Sequence, residues 1–423
     1  MTASEPDSLR ILHAPRNIAG QGSDIVAALR RLGHHAELWE DAPDVFGRES
    51  DRVLTLDRTD GRPTWNALRE VVEQFDIVHF HFGYTFVPRN GVLPPYWDVP
   101  LLRSLGLRVY FTFHGSDIRM GRIGTEVDPW SKLFVTPNPP EDDRIEKSLQ
   151  VIRTYADEMF VTSVNYLAFV PDATYLPRVI DLGGMPPLEP RARRVPVIVH
   201  APTRRGTKGT ELLLPILEQL RTDGLEFELR LLEGVSHAEV MAALADADIL
   251  LDNVVAASYG IVSLEAMASG AVAVSCMSDA VVAAHPDVPV VRINPGTAAT
   301  VLRGLIPDVE ERRRLGELGR TFVERVHDAD VVAGQLVEHY VAPRRPIRDR
   351  AMPDWMSMKP ARHVERLEAR IEALEVDLAR ARRIERQLRG RLGLPREETT
   401  SMARRVTRRV VPIGIRRRLA RRF

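Results

Sequence analysis

The sequence contains little cysteine and no long hydrophobic run. Cys276 is the single cysteine among 423 residues, which excludes an intramolecular disulfide framework and suits a reducing compartment. A helix that spans a bilayer needs about 20 consecutive apolar residues, and no stretch approaches that length. Residues 1–8 are polar and acidic, unlike a signal peptide. We therefore expect a cytoplasmic protein whose contact with a membrane would be peripheral, on the inner face.

Charge is balanced in total but not along the chain. The 58 Lys and Arg residues equal the 58 Asp and Glu residues in number. Residues 344–423 nevertheless hold 24 Lys and Arg against 10 Asp and Glu, a net charge of +14, so the preceding part carries −14. An acidic body followed by a basic tail favours a tail that binds an anionic surface.

Strand-like and helix-like segments alternate along most of the chain. The strand candidates of the first half are 9–13, 52–56, 76–82, 107–113, 159–162 and 173–176. Those of the second half are 195–200, 227–232, 249–252, 271–275 and 288–293. This alternation predicts an α/β protein with doubly wound parallel sheets, and the length suits two cores plus an extension.

A segment rich in Pro and Gly, at 176–190, separates the two halves as domain linkers do. We predict a first Rossmann-like domain over residues 1–185 and a second over 186–342. A linker with a coiled-coil helix would follow over 343–402, and a basic amphipathic tail over 403–423.

The most informative stretch is 258–270, Ser-Tyr-Gly-Ile-Val-Ser-Leu-Glu-Ala-Met-Ala-Ser-Gly. It lies between two strand-like runs and predicts a turn at Gly260, a buried helix and a stop at Gly270. Glu265 is the one ionised residue of this apolar helix, and burying a carboxylate is costly unless it is paired. Either it forms a salt bridge with a neighbouring Arg, or it binds a polar ligand such as ribose hydroxyls near the helix N-terminus.

Two other loops carry charged groups at strand ends. His114, Ser116 and Asp117 follow the strand 107–113, at the edge of the sheet where ligands bind. The alternative is a loop histidine that is hydrogen-bonded to Asp117. The loop 201–210 carries the cations Arg204, Arg205 and Lys208, which suit a diphosphate clamp or a solvated basic loop.

Weaker signals lie elsewhere in the first half. Gly20 and Gly22 separate the first strand from a helix predicted to begin at Ser23, as in a phosphate-binding loop or a plain turn. His79 and His81 alternate on a strand and so share one face, which suits a metal site or a pair of histidines that face a cleft. No Cys or carboxylate cluster accompanies them, so we expect no metal ion. The polar, Pro-rich segment 121–144 is long enough for a mobile flap or acceptor loop.

The stretch 258–270 resembles the C-terminal signature of the GT-B glycosyltransferases, in particular the retaining glycosyltransferase family 4. That signature has two Glu residues separated by seven others and followed by Ala-Met. Glu265 matches the second Glu, whereas Ala257 stands where the first belongs. Lys208-Gly209 resembles the family's Lys-Gly pair, and Arg204 or Arg205 would supply its Arg, with Arg205 preferred on spacing.

Two segments of the first half extend the resemblance to about residues 9–342. Gly20-Gln21-Gly22 is similar to the family's Gly-Gly loop, with an inserted Gln. His114-Gly115-Ser116-Asp117 is similar to its His-Gly-x-Asp segment. The resemblance implies two Rossmann-like domains that face each other across a cleft, with the last helix, about 327–342, crossing back to the first domain.

The resemblance also implies an activity, which is sugar transfer from a nucleotide-sugar to a glycan, lipid-linked or other cell-envelope acceptor, with retention and without cofactor or metal. Arg205, Lys208 and the helix start would stabilise the leaving diphosphate, and His114 would lie at the transferred sugar. The implied donor-binding residues are Gly20, Gly22, Arg204, Tyr259, Gly260, Ile261 and Glu265, and the implied acceptor or cleft residues are His81, Ser116 and Asp117. Because of Ala257, a catalytically inactive module that binds nucleotide or glycan as a partner subunit remains the alternative.

The tail has its own patterns. Apolar residues spaced by three and four between 364 and 378 form a heptad seam, so 364–381 would pair two copies or form a single solvated helix. Residues 403–423 hold nine Arg and no acid, interleaved with apolar residues. Such a segment suits an anionic membrane surface, or it is a solvated tail. Because stacking aromatics are nearly absent there, we expect no nucleic acid partner.

Overall fold

The structure, a computed structural model, describes residues 8–43, 48–89, 91–127, 130, 139–185, 191 and 193–347. The coiled-coil prediction over 364–381 and the basic tail 403–423 lie outside the described residues. No helix within the described residues is both long and apolar enough to span a bilayer.

The first half forms a seven-stranded parallel sheet with strand order β3-β2-β1-β4-β5-β6-β7. A 3₁₀ turn, Val164–Ala168, follows its sixth strand. The elements are β1 Arg10–Ala14, α1 Gln21–Arg31, β2 His35–Glu40, β3 Arg52–Val53, α2 Arg62–Gln74, β4 Ile77–His81, α3 Asp98–Ser104, β5 Arg108–Phe113, α4 Gly121–Val127, α5 Pro139–Tyr155, β6 Glu158–Val161 and β7 Thr174–Tyr175.

The second half forms a five-stranded parallel sheet with strand order β12-β11-β10-β8-β9. Two long helices then end the described part of the chain. The elements are β8 Val197–His200, α6 Arg205–Lys208, α7 Thr210–Thr222, β9 Glu228–Leu231, α8 His237–Ala245, β10 Ile249–Asn253, α9 Ile261–Ala268, β11 Val272–Ser275, α10 Asp279–Ala284, β12 Val291–Arg292, α11 Ala298–Leu305, α12 Val309–Val326 and α13 Ala329–Val341.

Helices cover both faces of the first sheet, because alternate side chains of each strand point to opposite faces. Leu12 and Phe80 belong to a core shared with α2, α3 and α5. Ile11 and Tyr110 belong to a second core shared with α1 and α13. The doubly wound α/β fold predicted from the alternation is thereby confirmed.

The last helix, α13, packs on the first sheet although it follows the second. Leu336 and Tyr340 are buried in the same core as Ile11. The backbone fixes the crossing point, because Ile180 N donates to His327 O at 2.9 Å and Ala329 N donates to Ile180 O at 3.1 Å. One helix therefore ties the end of the second half to the sheet of the first.

Two features differ from the sequence prediction. No strand is predicted between residues 33 and 51, yet β2 lies there and pairs with β1. The prediction of a loop over 121–144 is wrong in part, because α4 begins at Gly121 and α5 begins at Pro139. Proline is well tolerated at the start of a helix, where its missing N–H would have no intrahelical acceptor.

Candidate active site

The loops at the carboxyl ends of the two sheets are in contact. Ser163, just after β6, donates through Oγ to Ser258 Oγ at 2.9 Å, and Ser258 lies just before α9. Tyr175, in β7, bonds through its hydroxyl to His285 Nε2 at 3.0 Å. Ligands of open parallel sheets bind at this edge, so the residues predicted in each half face a shared region.

Lys208 and the start of α9 are joined by Asp252, the penultimate residue of β10. Lys208 Nζ forms an ion pair with Asp252 Oδ1, and Asp252 Oδ2 accepts from Gly260 N at 2.7 Å and Ser263 Oγ at 2.8 Å. Although burial opposes it, Lys208 keeps the pKa of Asp252 below its ordinary value. An ammonium group is thus held at the N-terminus of a buried helix, where the helix dipole also favours an anion.

Gly260 leaves room at this point. A Cβ at position 260 would lie 3.1 Å from Asp252 Oδ2 and 3.6 Å from Lys208 Nζ. The amide of the next residue, Ile261, is in the first turn of α9, where N–H groups have no acceptor within the helix. Gly260 and Ile261 therefore present backbone close to the Lys208 ammonium.

The two arginines of the same loop are placed differently. Arg205 pairs with Glu211 at 2.6 Å and with Glu233 at 2.9 Å, and its side chain is well exposed. Arg204 immediately precedes α6, in extended conformation and exposed. The guanidinium of Arg205 is thus paired with two carboxylates. The family motif favours Arg205 on spacing as the cation of the diphosphate clamp, and the choice between Arg205 and Arg204 remains a prediction.

Glu265 is buried on α9, as the apolar pattern predicts, but its partner is a histidine. Its Oε1 lies 2.6 Å from His237 Nε2, and His237 is the first residue of α8. The hydrogen bond to Glu265 raises the pKa of His237, and burial opposes this rise. From the sequence, a salt bridge between Glu265 and an Arg is one alternative. In the structure Glu265 pairs instead with His237, whose charge depends on pH.

Tyr259 is nearly fully buried, and its hydroxyl bonds to His327 Nε2 at 3.1 Å. His327 Nδ1 bonds in turn to Arg178 O at 2.7 Å. The Tyr259 side chain therefore holds the second half against the linker, and only its backbone adjoins the helix start.

The Gly20 loop lies close to Glu265. Gly20 has a φ of 78°, a conformation that favours glycine, and precedes α1. The inserted Gln21 binds the linker, because its side chain donates to Val179 O at 2.7 Å and accepts from Val179 N at 2.9 Å. Gly22 N donates to Asn17 Oδ1 at 3.0 Å. The two glycines thus frame a residue that anchors the loop to the linker.

Arg48 was not singled out from the sequence, yet it covers the Gly20 loop. Its Nη1 donates to Ala19 O at 2.9 Å, and a Cβ at Gly20 would overlap it. Arg48 Nη1 lies 3.8 Å from Asp24 Oδ1. Burial raises the pKa of Asp24 to about 6, and the nearby charge of Glu265 makes a smaller contribution in the same direction. Arg48 also acts on His237, where it opposes the rise in pKa that Glu265 causes, so a loop of the first half supplies a cation to the region of Glu265.

The His114 loop is closed by Asp117. Asp117 accepts from His114 N at 3.1 Å and from Gly115 N at 2.7 Å, and burial raises its pKa to about 6. The carboxylate therefore binds the backbone of the loop and not the imidazole of His114. Ser116 between them is exposed, whereas Gly115, with a φ of 125°, packs against the Tyr166 hydroxyl.

His81 is buried beside His114, and its Nδ1 lies 3.1 Å from His114 Nε2. The predicted pair His79 and His81 does share one face of the sheet. Within the described residues, no group of three or more His, Cys, Asp or Glu side chains is arranged to hold a metal ion.

Further groups near His114 were not predicted. Arg119 and Arg178 both donate to the Tyr166 hydroxyl, at 2.9 and 3.3 Å. An aromatic pair, Phe82 and Tyr84, stacks with ring centroids 6.0 Å apart, and Phe82 lies 6.4 Å from the His114 ring. No sequence motif marks these residues, because they follow four different strands and reach His114 only in the folded sheet.

Guanidinium groups flank Tyr84. Arg89 lies 3.9 Å from the centroid of its ring, and Arg16 lies 4.6 Å from it. Phe82 has a φ of 59°, a conformation that non-glycine residues rarely adopt and that clusters at functional sites. The carboxyl end of β4 therefore carries a partly exposed aromatic surface bounded by cations.

These two sheets with facing loops and a returning last helix form the GT-B fold. Sucrose-phosphate synthase from Thermosynechococcus elongatus is similar, with a TM-score of 0.52 and 15% identity over 79% of this chain and 98% of that one. Anabaena HepE in complex with UDP and glucose is similar too, with a TM-score of 0.50 and 13% identity over 79% of this chain and 100% of that one. No protein-family model matches the sequence, and no curated protein matches it.

At such low identities the likeness shows the fold alone. It confirms the GT-B architecture expected from the motifs. The closer resemblance to glycosyltransferase family 4 rests on the sequence motifs.

Proposed function

We propose that the protein is a glycosyltransferase that moves a sugar from a nucleotide-sugar to a glycan or lipid-linked acceptor. The observation that carries the proposal is the cradle at the second sheet, where Lys208 of α6 meets the start of α9 through Asp252 of β10, and Glu265 lies on the same helix α9. A cation and a helix N-terminus suit a diphosphate, and a buried carboxylate on the same helix suits ribose hydroxyls.

In the transfer, the bond from the anomeric carbon to the diphosphate oxygen breaks and leaves its electron pair on that oxygen. The acceptor oxygen bonds to the anomeric carbon, and its hydroxyl proton passes to the departing diphosphate. Negative charge develops on the diphosphate, and Lys208 with the α9 amides would stabilise it. Glu265 would hold the ribose, and His114 would contact the transferred sugar. Retention and independence of metal follow from the family resemblance, and Arg204 or Arg205 would add a second cation.

On the acceptor side, we place the sugar ring against Phe82 and Tyr84. Binding sites commonly combine aromatic walls with a few polar groups that fix orientation. Here Tyr84 would supply the apolar face, and Arg16 and Arg89 would supply donors to hydroxyl or anionic groups. The Phe82 ring lies 6.4 Å from the His114 ring, which supports an acceptor surface near the proposed sugar site.

The tail completes the proposal. Residues 403–423 would bind an anionic membrane through nine Arg, where a lipid-linked acceptor is found, and 364–381 would pair two copies. The acidic body would be repelled by the same surface and held away from it. The cytoplasmic, peripheral location expected from composition belongs to this part of the proposal.

The experiment that tests the enzyme against an inactive module is release of nucleoside diphosphate. The full chain is incubated with UDP-, GDP- and ADP-sugars, with and without a mixture of glycan and lipid-linked acceptors. We expect release with one donor, stimulated by acceptor and lost in His114→Ala. Binding of a nucleotide-sugar without release under any condition would favour the inactive module, for which Ala257 is the supporting feature. Glu310→Ala on the exposed start of α12 is the matched control.

A further inference from the structure

A chain of hydrogen bonds between buried side chains leads away from His114 into the first sheet. His114 Nε2 lies 3.1 Å from His81 Nδ1, and His81 Nε2 lies 2.8 Å from His13 Nδ1. His13 and His81 come from the adjacent strands β1 and β4, and their rings stack with centroids 5.1 Å apart. Three imidazoles are therefore linked end to end.

The chain continues to the last helix. His13 Nε2 lies 3.2 Å from the hydroxyl of Tyr340 on α13, and that hydroxyl lies 2.6 Å from His79 Nδ1. His79 Nε2 lies 2.6 Å from Thr112 Oγ1 on β5. Each of these side chains is fully or almost fully buried. The helix that crosses back to the first domain thus contributes the central member of the chain.

The members of the chain are uncharged. Burial lowers the pKa of His13, His79 and His114 well below the ordinary value, and lowers that of His81 to about 4. Burial raises the pKa of Tyr340, so its hydroxyl keeps its proton. A neutral imidazole has one N–H and one lone pair, and a hydroxyl shares one proton between its two partners here.

These rules leave two arrangements of protons. A member with two hydrogen bonds donates one and accepts the other. Whether Tyr340 donates to His13 or accepts from it therefore determines which nitrogen of His13 carries the proton, and this in turn determines the same for His81. In one direction His81 donates to His114 Nε2, and His114 carries its proton on Nδ1. In the other, His114 donates from Nε2, and its Nδ1 presents a lone pair.

We propose that Tyr340 is a positioning residue that acts through His13 and His81 to set which nitrogen of His114 carries the proton. The role of His114 in this inference rests on the proposed function. The hydrogen-bond chain itself does not, because it is observed in the structure whatever the protein does. The nitrogen of His114 outside the chain acts as a donor in one arrangement and as an acceptor in the other. The docking of α13 on the first sheet therefore bears on the chemistry at His114.

The position of Tyr340 is well determined, which such a role requires. Arg108 Nη1 donates to its backbone O at 2.8 Å, and the Tyr110 ring lies 4.9 Å away. Tyr110 provides a matched control, because it lies in the same core and its hydroxyl donates to His339 O at 3.2 Å, outside the chain. Tyr340→Phe and Tyr110→Phe each remove one hydroxyl from this core, and only the first interrupts the chain.

The test is the ¹⁵N spectrum of the imidazoles in the full-length protein, which reports the tautomer of each of the 12 histidines. His114→Asn assigns the signals of His114. We expect Tyr340→Phe to move the His114 ¹⁵N shifts toward a different tautomer mixture, whereas Tyr110→Phe leaves them in place. Unchanged His114 shifts in Tyr340→Phe, or equal changes in both variants, would overturn the proposal.

A second readout is kinetic. If the protein transfers sugar, Tyr340→Phe should lower kcat on the order of 10-fold with little change in the KM of the donor, because the hydrogen bond from His114 to the transferred sugar depends on which nitrogen carries the proton. The spectrum decides the matter even if no donor is turned over, so failure of the proposed function and failure of the chain are distinguishable. If Tyr340→Phe does not fold, His13→Asn interrupts the chain at the next member, and the same two outcomes apply.

Discussion

Glu265 and His237 are joined by a hydrogen bond of 2.6 Å that connects the donor helix α9 to the start of α8. Glu265 is almost fully buried, whereas the His237 side chain is 35% exposed. The carboxylate that we assign to ribose is therefore shared with a histidine whose pKa it raises. Protonation of His237 and donor binding at Glu265 should consequently affect each other.

The first prediction concerns stability and pH. The pKa of His237 is raised in the folded protein, so the pair stabilises the fold fully below the unfolded pKa of about 6.5 and loses this contribution as pH rises through the folded pKa. The melting temperature of the wild type should exceed that of His237→Gln at about pH 6. The difference should shrink as pH rises through the folded pKa of His237, and a difference independent of pH would contradict the ion pair.

The second prediction concerns Glu265→Gln, which keeps the shape of the side chain and removes its charge. Loss of a hydrogen bond to a charged group should weaken nucleotide-sugar binding by about 1.5–3 kcal/mol. The melting temperature should change little at a pH above the folded pKa of His237, where the imidazole carries no charge. A large loss of stability there with normal donor binding would assign Glu265 to the structure alone.

The third prediction concerns Lys208. The sequence predicts a loop around Lys208, which suggests that Lys208→Ala leaves the fold intact, but Lys208 ends α6 and its ammonium pairs with the buried carboxylate of Asp252. Removing one partner of a buried pair costs about 3–5 kcal/mol, so Lys208→Ala should lower both stability and diphosphate affinity. The double variant Lys208→Met with Asp252→Asn should regain stability but not affinity. If the double variant binds diphosphate as the wild type does, the clamp lies elsewhere.

The fold was predictable because its signals are local. Alternating strands and helices, a Pro- and Gly-rich linker and the apolar helix around Glu265 can all be recognised from neighbouring residues. Strand β2 was not predicted because its sequence, His-Ala-Glu-Leu-Trp-Glu, contains three polar residues. The strand pairs with β1 only in the folded sheet. The helix that begins at Gly121 was not predicted, because the proline and polar residues of the segment 121–144 suggest a loop.

The sequence identified several residues of the candidate site, but it could not identify the side chains with which those residues pair. Gly260 and Glu265 lie on one β–α unit, so the sequence itself brings them together, whereas Lys208 of α6 joins them through Asp252. Arg48 and His237 come from distant segments, and nothing in their local sequence marks them as neighbours of Glu265. Tertiary contacts also decide that Arg205 meets Glu211 and Glu233, which sequence spacing cannot reveal.

The fourth prediction concerns the acceptor surface. Tyr84→Ala removes the aromatic face between Arg16 and Arg89. Transfer to acceptor should fall through a higher acceptor KM, while donor hydrolysis in the absence of acceptor stays at its wild-type rate. The exposed Trp65→Ala on α2 is a control for loss of an aromatic side chain. Equal loss of hydrolysis and transfer would place Tyr84 at the donor instead.

The fifth prediction concerns the tail, and it is tested by sedimentation with liposomes. The full chain should pellet with anionic vesicles at low salt and leave them at high salt, because the Debye length falls from about 10 Å at 0.1 M to about 3 Å at 1 M. A variant that ends at Ala342 should stay in the supernatant and still bind donor. Equal pelleting of both proteins, or of neither, would contradict membrane binding by residues 403–423.

The most direct measurement of the central claim is calorimetric titration of the full chain with UDP, GDP and ADP. We predict that one of them binds in the absence of metal and that Glu265→Gln weakens its binding, since we propose that Glu265, Lys208 and the start of α9 hold the nucleoside and the diphosphate. Absence of binding for all three, or binding that Glu265→Gln and the double variant at Lys208 and Asp252 leave unchanged, would contradict the account.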